Sequence, residues 1–162
     1  LILEMGAELS GIRWNGDKQL PTINYQVSLQ AMRTMGSDFF CGLTFPFHDS
    51  HATLILGGWG GSLIGISSID DFDASENETG DVYIFEDNQW YDIKLWVGEE
   101  KILVWIDGEI VIDYEVDGHK VAMRFGEIEI SVPFGFSTYA TTGVIKNIEM
   151  RIGKGKSETT AN

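Results

Sequence analysis

This chain of 162 residues has few cysteines, no long apolar run and no clear helical pattern, and each of these absences limits the possible folds or locations. It has one cysteine, Cys41, so no disulfide can form within the chain. The compartment therefore stays open, because secreted bacterial proteins also often lack disulfides, and we favour an extracellular or periplasmic location. No apolar run reaches the roughly 18 residues of a membrane-spanning helix, so we expect no membrane insertion. No segment shows convincing helical periodicity.

Positive charge is also scarce. Lysine and arginine number 11 against 25 aspartates and glutamates, which gives a net charge of −14. Such a surface repels phosphate backbones and anionic headgroups, so we expect no nucleic acid among the partners. The charge is compatible with a neutral ligand such as a carbohydrate, or with a cation held by clustered carboxylates. The sequence leaves the oligomeric state open.

Short apolar runs with period-2 alternation are abundant, and 19 glycines are scattered between them. This pattern predicts an all-β fold, because pleated strands place successive side chains on opposite faces. The residues form one domain over 1–153, followed by a flexible polar tail at 154–162. We expect a two-sheet antiparallel β-sandwich or jelly roll. The predicted strands are 8–14, 25–33, 38–47, 52–59, 62–68, 82–86, 90–97, 101–106, 109–116, 127–132, 135–139 and 144–152.

The dipeptide Asp107-Gly108 favours a two-residue hairpin turn, since both positions tolerate positive φ. With that turn, Leu103 and Trp105 share a side with Ile110 and Ile112, and this apolar side is expected to face the interior. In the preceding strand Trp96 falls on the polar face, so its ring is either exposed there or packed where the curling sheets bury part of that face.

Several motifs together resemble a known family. They are W-Y-x-I-x-x-x-V at 90–97, V-W-I-D-G at 104–108, T-G-x-I-K-N-I at 142–148, and the segments 38–47 and 54–79. They resemble the concanavalin A-like lectin/glucanase superfamily, and within it the laminin-G-like domains of the 3-keto-disaccharide hydrolase type. The resemblance implies a concanavalin A-like β-sandwich. It leaves activity open, because this superfamily contains lectins, glycosidases and structural modules.

Retaining glucanases of the superfamily carry E-x-D-x-E on one strand, which places three acids on one face. The nearest segment here has Glu127 and Glu129, but Ser131 stands at the third position. Retaining hydrolysis needs two carboxyl groups about 5–5.5 Å apart, and this set is incomplete. No catalytic residue is therefore assigned, and Glu127 and Glu129 are expected on a solvated strand face.

Aromatic rings and polar side chains supply the ligand-binding candidates. Sugars stack their C–H faces on aromatic rings and pair their hydroxyls with polar groups. Trp59, in the glycine-rich turn 57–61, and Trp96 are the candidate platforms. His48 and His51 are candidate polar partners, although a surface turn between two strands is the simpler explanation for both. They could also bind a metal, but no third ligand is evident nearby.

The densest group of oxygen ligands lies in the acidic segment 70–78. Asp71, Asp73 and Ser75 have a D-x-D-x-S spacing that lets alternate side chains converge on a calcium ion. Glu76 and Asn77 in the same segment are candidate carbohydrate ligands. The alternative is a solvated acidic loop.

Three functions follow from these observations. The first is a carbohydrate-binding, laminin-G/lectin-like module without catalytic activity. The second is a glycoside hydrolase that acts on 3-keto-disaccharides or related glycosides. The third is a structural or adhesive domain of a larger protein.

Overall fold

Two six-stranded antiparallel sheets form the protein, as the computed structural model shows for residues 1–6 and 8–153. The predicted tail at 154–162 lies outside these residues. The first sheet has the order β1-β12-β3-β8-β9-β10 and the second β2-β11-β4-β5-β6-β7. The strands are β1 Ile2–Leu3, β2 Leu9–Arg13, β3 Tyr25–Gly36, β4 Cys41–Phe47, β5 Ser50–Gly58, β6 Leu63–Ser67, β7 Asp81–Val82, β8 Tyr91–Val97, β9 Lys101–Ile106, β10 Glu109–Glu115, β11 Gly135–Tyr139 and β12 Thr141–Ile152. The predicted all-β sandwich is confirmed.

The core lies between the two sheets and follows the alternation of the sequence. From the first sheet, β3 contributes Tyr25, Val27, Leu29 and Ala31 to it, and β8 contributes its own alternate residues. From the second sheet, β4 contributes its odd-numbered positions, and β5 its even-numbered ones. The opposite positions of β4, β5, β6 and β11 therefore point to the outer face of the second sheet.

The hairpin β9–β10 has the predicted turn but not the predicted faces. A bulge lies between Ile110 and Ile112, so Ile110 pairs with Trp105 whereas Ile112 pairs with Val104. The extra residue turns Ile112 into the core and leaves Ile110 43% exposed. The expected interior position of Leu103 and Trp105 is wrong, because alternate residues of β9 fill the core instead. These core residues are Ile102, Val104 and Ile106.

Three further elements differ from the prediction. The predicted strand 127–132 is a short 3₁₀ helix, Glu127–Ser131, whose backbone bonds locally from Glu129 N to Gly126 O. Its isoleucines do not share a buried face, since Ile130 is 71% exposed. The predicted strand 82–86 is reduced to β7, and β1 was not predicted.

Residues 121–133 cross the outer face of the second sheet, and we call them the crossing segment. Ala122 exchanges backbone hydrogen bonds with Ser68, just after β6. Met123 Sδ accepts a hydrogen bond from Thr53 Oγ1 of β5. The 3₁₀ helix then packs beside β2 and β11. The crossing segment therefore divides the outer face into two open regions.

Within residues 1–6 and 8–153, no helix is both long and apolar enough to cross a membrane.

Candidate functional site

A cleft of about 560 Å³ lies on the outer face of the second sheet, on one side of the crossing segment. Ile55 and Phe39 form an apolar part of its wall, and Trp59 and Tyr139 add aromatic rings. Polar groups reach the cleft from several elements: Glu8, Asp38, Ser67, Arg124 and Glu127. An apolar wall with a few convergent polar groups is the usual composition of a small-ligand site.

The glycine-rich turn presents Trp59 to the cleft, as the sequence indicated. Trp59 has a positive φ of 43° and is followed by two glycines with φ of 93° and 107°. Gly61 N donates a hydrogen bond to Gly58 O, which closes the turn. The left-handed backbone at Gly60 and Gly61 is accessible to glycine at little cost. Trp59 is 41% exposed, so its ring is available to a ligand.

Asp38 lies beside Trp59, half-buried in the cleft wall. Its carboxylate accepts a hydrogen bond from the backbone N–H of Phe39 at 2.8 Å. Burial raises the pKa of Asp38, and hydrogen bonds from the backbone N–H groups of Phe39 and Trp59 offset part of that rise. The group is therefore a positioned acceptor with a perturbed proton affinity.

Ser67 is the most informative polar residue of the cleft. The residue is 2% exposed, and its hydroxyl has no hydrogen-bond partner among the described residues. A buried hydroxyl without a partner costs free energy, so such groups usually meet a ligand or water. Ser67 lines the cleft, but its Oγ is closed off from solvent, so a ligand hydroxyl would reach and satisfy it only after a local side-chain movement.

Arg124 supplies the positive charge of the cleft. Its guanidinium carbon lies 5.8 Å from the centre of the Trp59 ring, within cation–π range. Its Nη1 is 3.9 Å from Asp73 Oδ2, at the outer limit of an ion pair. Around it, Glu8, Asp38 and Glu127 carry carboxyl groups, so acidic side chains outnumber basic ones among the cleft residues.

The second predicted platform is not exposed. Trp96 is 8% exposed and packs with Leu103 and Trp105 in a small cluster outside the main core. Its ring covers Gly98, where an added Cβ would come within 2.2 Å of the indole. Lys94 Nζ lies 4.3 Å from the centre of the Trp105 ring and covers that indole. Of the two alternatives for Trp96, the structure therefore shows the packed one.

The two candidate histidines do not act together. His48 is exposed at the β4–β5 turn, and its Nε2 lies 2.8 Å from the carbonyl oxygen of Glu99. His51 lines a different cleft, and desolvation lowers its pKa. Neither lines the Trp59 cleft, so a shared role is not supported by their placement.

Asn77 holds the acidic loop together. Its Nδ2 donates to the carbonyl oxygens of Ile66, Phe72 and Asp73 at 2.8, 3.0 and 2.9 Å. Its Oδ1 accepts hydrogen bonds from the backbone N–H and the hydroxyl of Thr79. The amide is thus fully used within the protein and is not free for a ligand. Glu76 is exposed on the same loop and does not line the cleft.

The predicted calcium ligands are engaged with protein groups. Asp71 Oδ1 pairs with Lys120 Nζ at 2.9 Å, and Asp73 Oδ1 accepts hydrogen bonds from Ser75 N and Oγ. Among the residues described, no three histidine, cysteine or acidic side chains converge on one point. This arrangement does not fit a calcium ion without rearrangement, and calcium binding stays a prediction.

Sequence reasoning missed Asp38, Ser67 and Arg124 as parts of one site. They come from the segment before β4, the end of β6 and the crossing segment, and no local motif links them. The only signal in the sequence was the glycine-rich turn around Trp59.

Comparisons with solved structures agree with the fold. Carbohydrate binding module CBM66 from Bacillus subtilis is 16% identical, with a TM-score of 0.53 and coverage of 90% of this chain and 83% of that chain. A family 7 alginate lyase is 7% identical, with a TM-score of 0.56 and coverage of 90% and 73%. A human galectin-16 variant is 12% identical, with a TM-score of 0.50 and coverage of 82% and 91%. These likenesses establish the β-sandwich.

No curated protein sequence matches this chain. A family model does match: the 3-keto-alpha-glucoside-1,2-lyase-like domain covers residues 9–151, which includes β2 to β12 up to Arg151. The match spans both sheets and every residue of the Trp59 cleft except Glu8. The chain belongs to the family of 3-keto-alpha-glucoside-1,2-lyase-like domains.

Proposed function

We propose that this protein is a carbohydrate-binding module without catalytic activity, and that a sugar unit binds in the Trp59 cleft. One observation carries this proposal: the exposed Trp59 ring lines the same cleft as Ser67, whose buried hydroxyl has no hydrogen-bond partner among the residues that the structure describes. A sugar offers an apolar C–H face and several hydroxyls, so it suits both groups at once.

The cleft residues have complementary roles in this proposal. Trp59 stacks on the sugar ring, and Asp38 accepts a hydrogen bond from a hydroxyl. Ser67 exchanges a hydrogen bond with a second hydroxyl and thereby loses its unsatisfied state. Arg124 donates from above the Trp59 ring, where its guanidinium already lies.

The charge of the cleft favours a neutral sugar. Glu8, Asp38 and Glu127 outnumber Arg124 there, and the protein carries a net charge of −14. A uronic acid or a sulfated sugar would meet like charge both at long range and in the cleft. A structural neighbour named as a carbohydrate binding module supports a carbohydrate ligand, without indicating its charge.

Isothermal titration against neutral and acidic oligosaccharides tests the proposal. The panel contains cellobiose, maltose, trehalose, sucrose and laminaribiose, with digalacturonate as the acidic member. We expect a neutral disaccharide to bind, and Trp59→Ala to weaken it about three- to tenfold or more through the loss of stacking. Ser67→Ala should weaken it by a similar factor.

Trp90→Ala is the matched control, because the Trp90 ring lies under Lys146 Nζ, at 3.9 Å, and does not line the cleft. It should leave affinity unchanged. Binding of no member of the panel, or equal loss in Trp59→Ala and Trp90→Ala, would contradict the proposal.

A second candidate function is catalysis on 3-keto-glucosides. The family description and the raised pKa of Asp38 favour it, since a carboxyl group with raised pKa in a cleft is a typical proton acceptor. Incubation of the protein with 3-keto-trehalose or 3-keto-sucrose, with and without a chelator, would detect sugar release. Turnover that falls at least about a hundredfold in Asp38→Asn would establish this function instead of the first. Absence of turnover both with and without the chelator would favour the first proposal, a binding module without catalytic activity.

A further inference from the structure

A second cleft, of about 480 Å³, lies on the other side of the crossing segment. His51 of β5 and Pro46 of β4 form its floor, and these two residues pair across the strands. Pro133, at the end of the crossing segment, contributes one wall, and Trp14, directly after β2, contributes another. Both clefts therefore open on the outer face of the same sheet, at its two ends.

Trp14 is held in this cleft with an accessible ring. Its backbone N–H donates a hydrogen bond to Phe134 O at 2.7 Å, which fixes the main chain. Its ring lies directly against Gly16, where an added Cβ would approach Cζ2 to 2.3 Å. The absence of a side chain at Gly16 lets the indole lie flat, and Trp14 remains 42% exposed. The ring is thus supported from one side and open to a ligand, as Trp59 is.

His51 adds a polar group on rigid backbone. It is half-buried on β5, and none of the hydrogen bonds among the described residues uses its ring. Desolvation lowers the pKa of His51, so the imidazole is neutral at pH 7. A neutral imidazole has one donor and one acceptor nitrogen, so a single ligand hydroxyl can either donate a hydrogen bond to it or accept one from it.

The remaining polar groups complete a site for an uncharged ligand. Asn15, Asp17 and Gln19 are exposed around the rim and offer amide and carboxylate groups. Asp17 and Lys18 carry opposite charges, so the rim is close to neutral overall. Pro46 in the floor and Pro133 in a wall restrict backbone motion, which lowers the entropic cost of ordering the site around a ligand.

We infer that the Trp14–His51 cleft is a second carbohydrate-binding site, which takes a neutral hexose unit stacked on Trp14 with a hydroxyl bonded to His51. The site shares no side chain with the Trp59 cleft. The inference therefore stands independently of the proposed function, and the two can fail separately.

Two-dimensional ¹H–¹⁵N spectra test this inference on the full chain. The probes are D-glucose, D-mannose and D-galactose, each added to millimolar concentrations. The indole N–H signals report on Trp14 and Trp59 separately, and the imidazole signals report on His51. We expect at least one sugar to move the Trp14 and His51 signals along a common binding curve, unchanged in Trp59→Ala.

Two variants examine the site without removing the indole. His51→Gln should weaken that binding curve about two- to tenfold, through the loss of one hydrogen bond. Gly16→Ala should weaken it because the new Cβ displaces the ring. His48→Gln, a histidine in a different cleft, is the control and should change nothing. The inference is overturned if no probe moves the Trp14 signal, if His51→Gln leaves the curve unchanged, or if Trp59→Ala abolishes the shift.

Discussion

Arg33 Nη1 donates a hydrogen bond of 3.0 Å to the carbonyl oxygen of Gly61. The same guanidinium donates through Nη2 to Phe85 O at 2.7 Å and through Nε to Asp87 Oδ1 at 2.6 Å. Arg33 is 8% exposed, so these bonds replace water almost completely. Strand β3 is thereby tied to the turn that presents Trp59, and a buried charge outside the cleft sets the position of the platform.

Replacement of Arg33 by methionine should lower the free energy of unfolding by roughly 3 kcal/mol. The change leaves the carbonyl groups of Gly61 and Phe85 without their donor, and each buried unsatisfied group costs about 1–3 kcal/mol. Denaturant unfolding followed by tryptophan fluorescence measures the loss. Arg151→Met is the control, since Arg151 pairs with Glu149 on the surface and its side chain is 75% exposed. Equal effects of the two substitutions would contradict the role of Arg33.

Substitutions of Trp96 and Trp59 should affect different properties: the first the stability of the fold, the second the affinity for sugar. Trp96→Ala removes a buried ring that packs on Leu103, so we expect a loss of about 3–5 kcal/mol of unfolding free energy. Sugar affinity should stay unchanged in the folded variant. Trp59→Ala should behave in the opposite way, with weaker binding and a stability change below about 1 kcal/mol. Chemical denaturation and titration of both variants check this; a loss of affinity in folded Trp96→Ala would contradict it.

Asn77→Asp should destabilise the acidic loop by about 3 kcal/mol. The substitution preserves size but places a carboxylate oxygen opposite three carbonyl oxygens, where the amide nitrogen now donates. Thermal unfolding measures the effect. Asn147→Asp is the matched control, because Asn147 makes an exposed side-chain hydrogen bond to Gln30 and should cost less than about 1 kcal/mol. A neutral Asn77→Asp variant would show that the loop is held by other contacts.

The pair His119–Asp70 should make stability depend on pH. His119 Nδ1 lies 2.6 Å from Asp70 Oδ2, and this contact raises the pKa of His119 above its ordinary value of 6.5. The stabilisation of the folded state by protonated His119 is fully present below pH 6.5, and it is lost as the pH rises through the raised pKa of His119. The hydrogen bond from His119 lowers the pKa of Asp70 below 3.8. The stabilisation of the folded state by ionised Asp70 is therefore lost as the pH falls through that lowered pKa.

The melting temperature of the wild type should therefore exceed that of His119→Gln most clearly between about pH 4 and 6.5, and the difference should shrink towards pH 9. Scanning fluorimetry across this range measures it. His48→Gln is the control, because the His48 ring faces a backbone carbonyl rather than a carboxylate. A difference that grows with rising pH would contradict a stabilising contact between protonated His119 and Asp70.

Most strands could be predicted from the sequence, because alternation of apolar and polar residues over five or more positions is typical of a strand with one buried face. Tyr25, Val27 and Leu29 illustrate this, since they alternate within the predicted strand 25–33 and all three lie in the core. The prediction failed at Val111, because a bulge adds one residue without any local signature and reverses the faces that follow. It also failed at Glu127–Ser131, where alternating isoleucines lie in a segment that has no strand partner.

The candidate site was harder to foresee for a different reason. Trp59 was found because its glycine-rich turn is a local feature. Ser67 and Arg124 could not be found, because the crossing segment brings them together across the sheet. The polar residue Lys94 shares a strand face with Trp96, which is typical of a solvated face, whereas in the structure its ammonium group lies over the Trp105 indole.

The crossing segment shapes both clefts but takes no part in the strand pairing of the two sheets. Ser68 anchors it at one end, and at the other it leads directly into β11, while both sheets complete their ladders without it. An exchange of these residues alone would reshape both clefts and leave strand pairing intact. The lining of both clefts can therefore be altered by exchanging one segment that belongs to neither sheet.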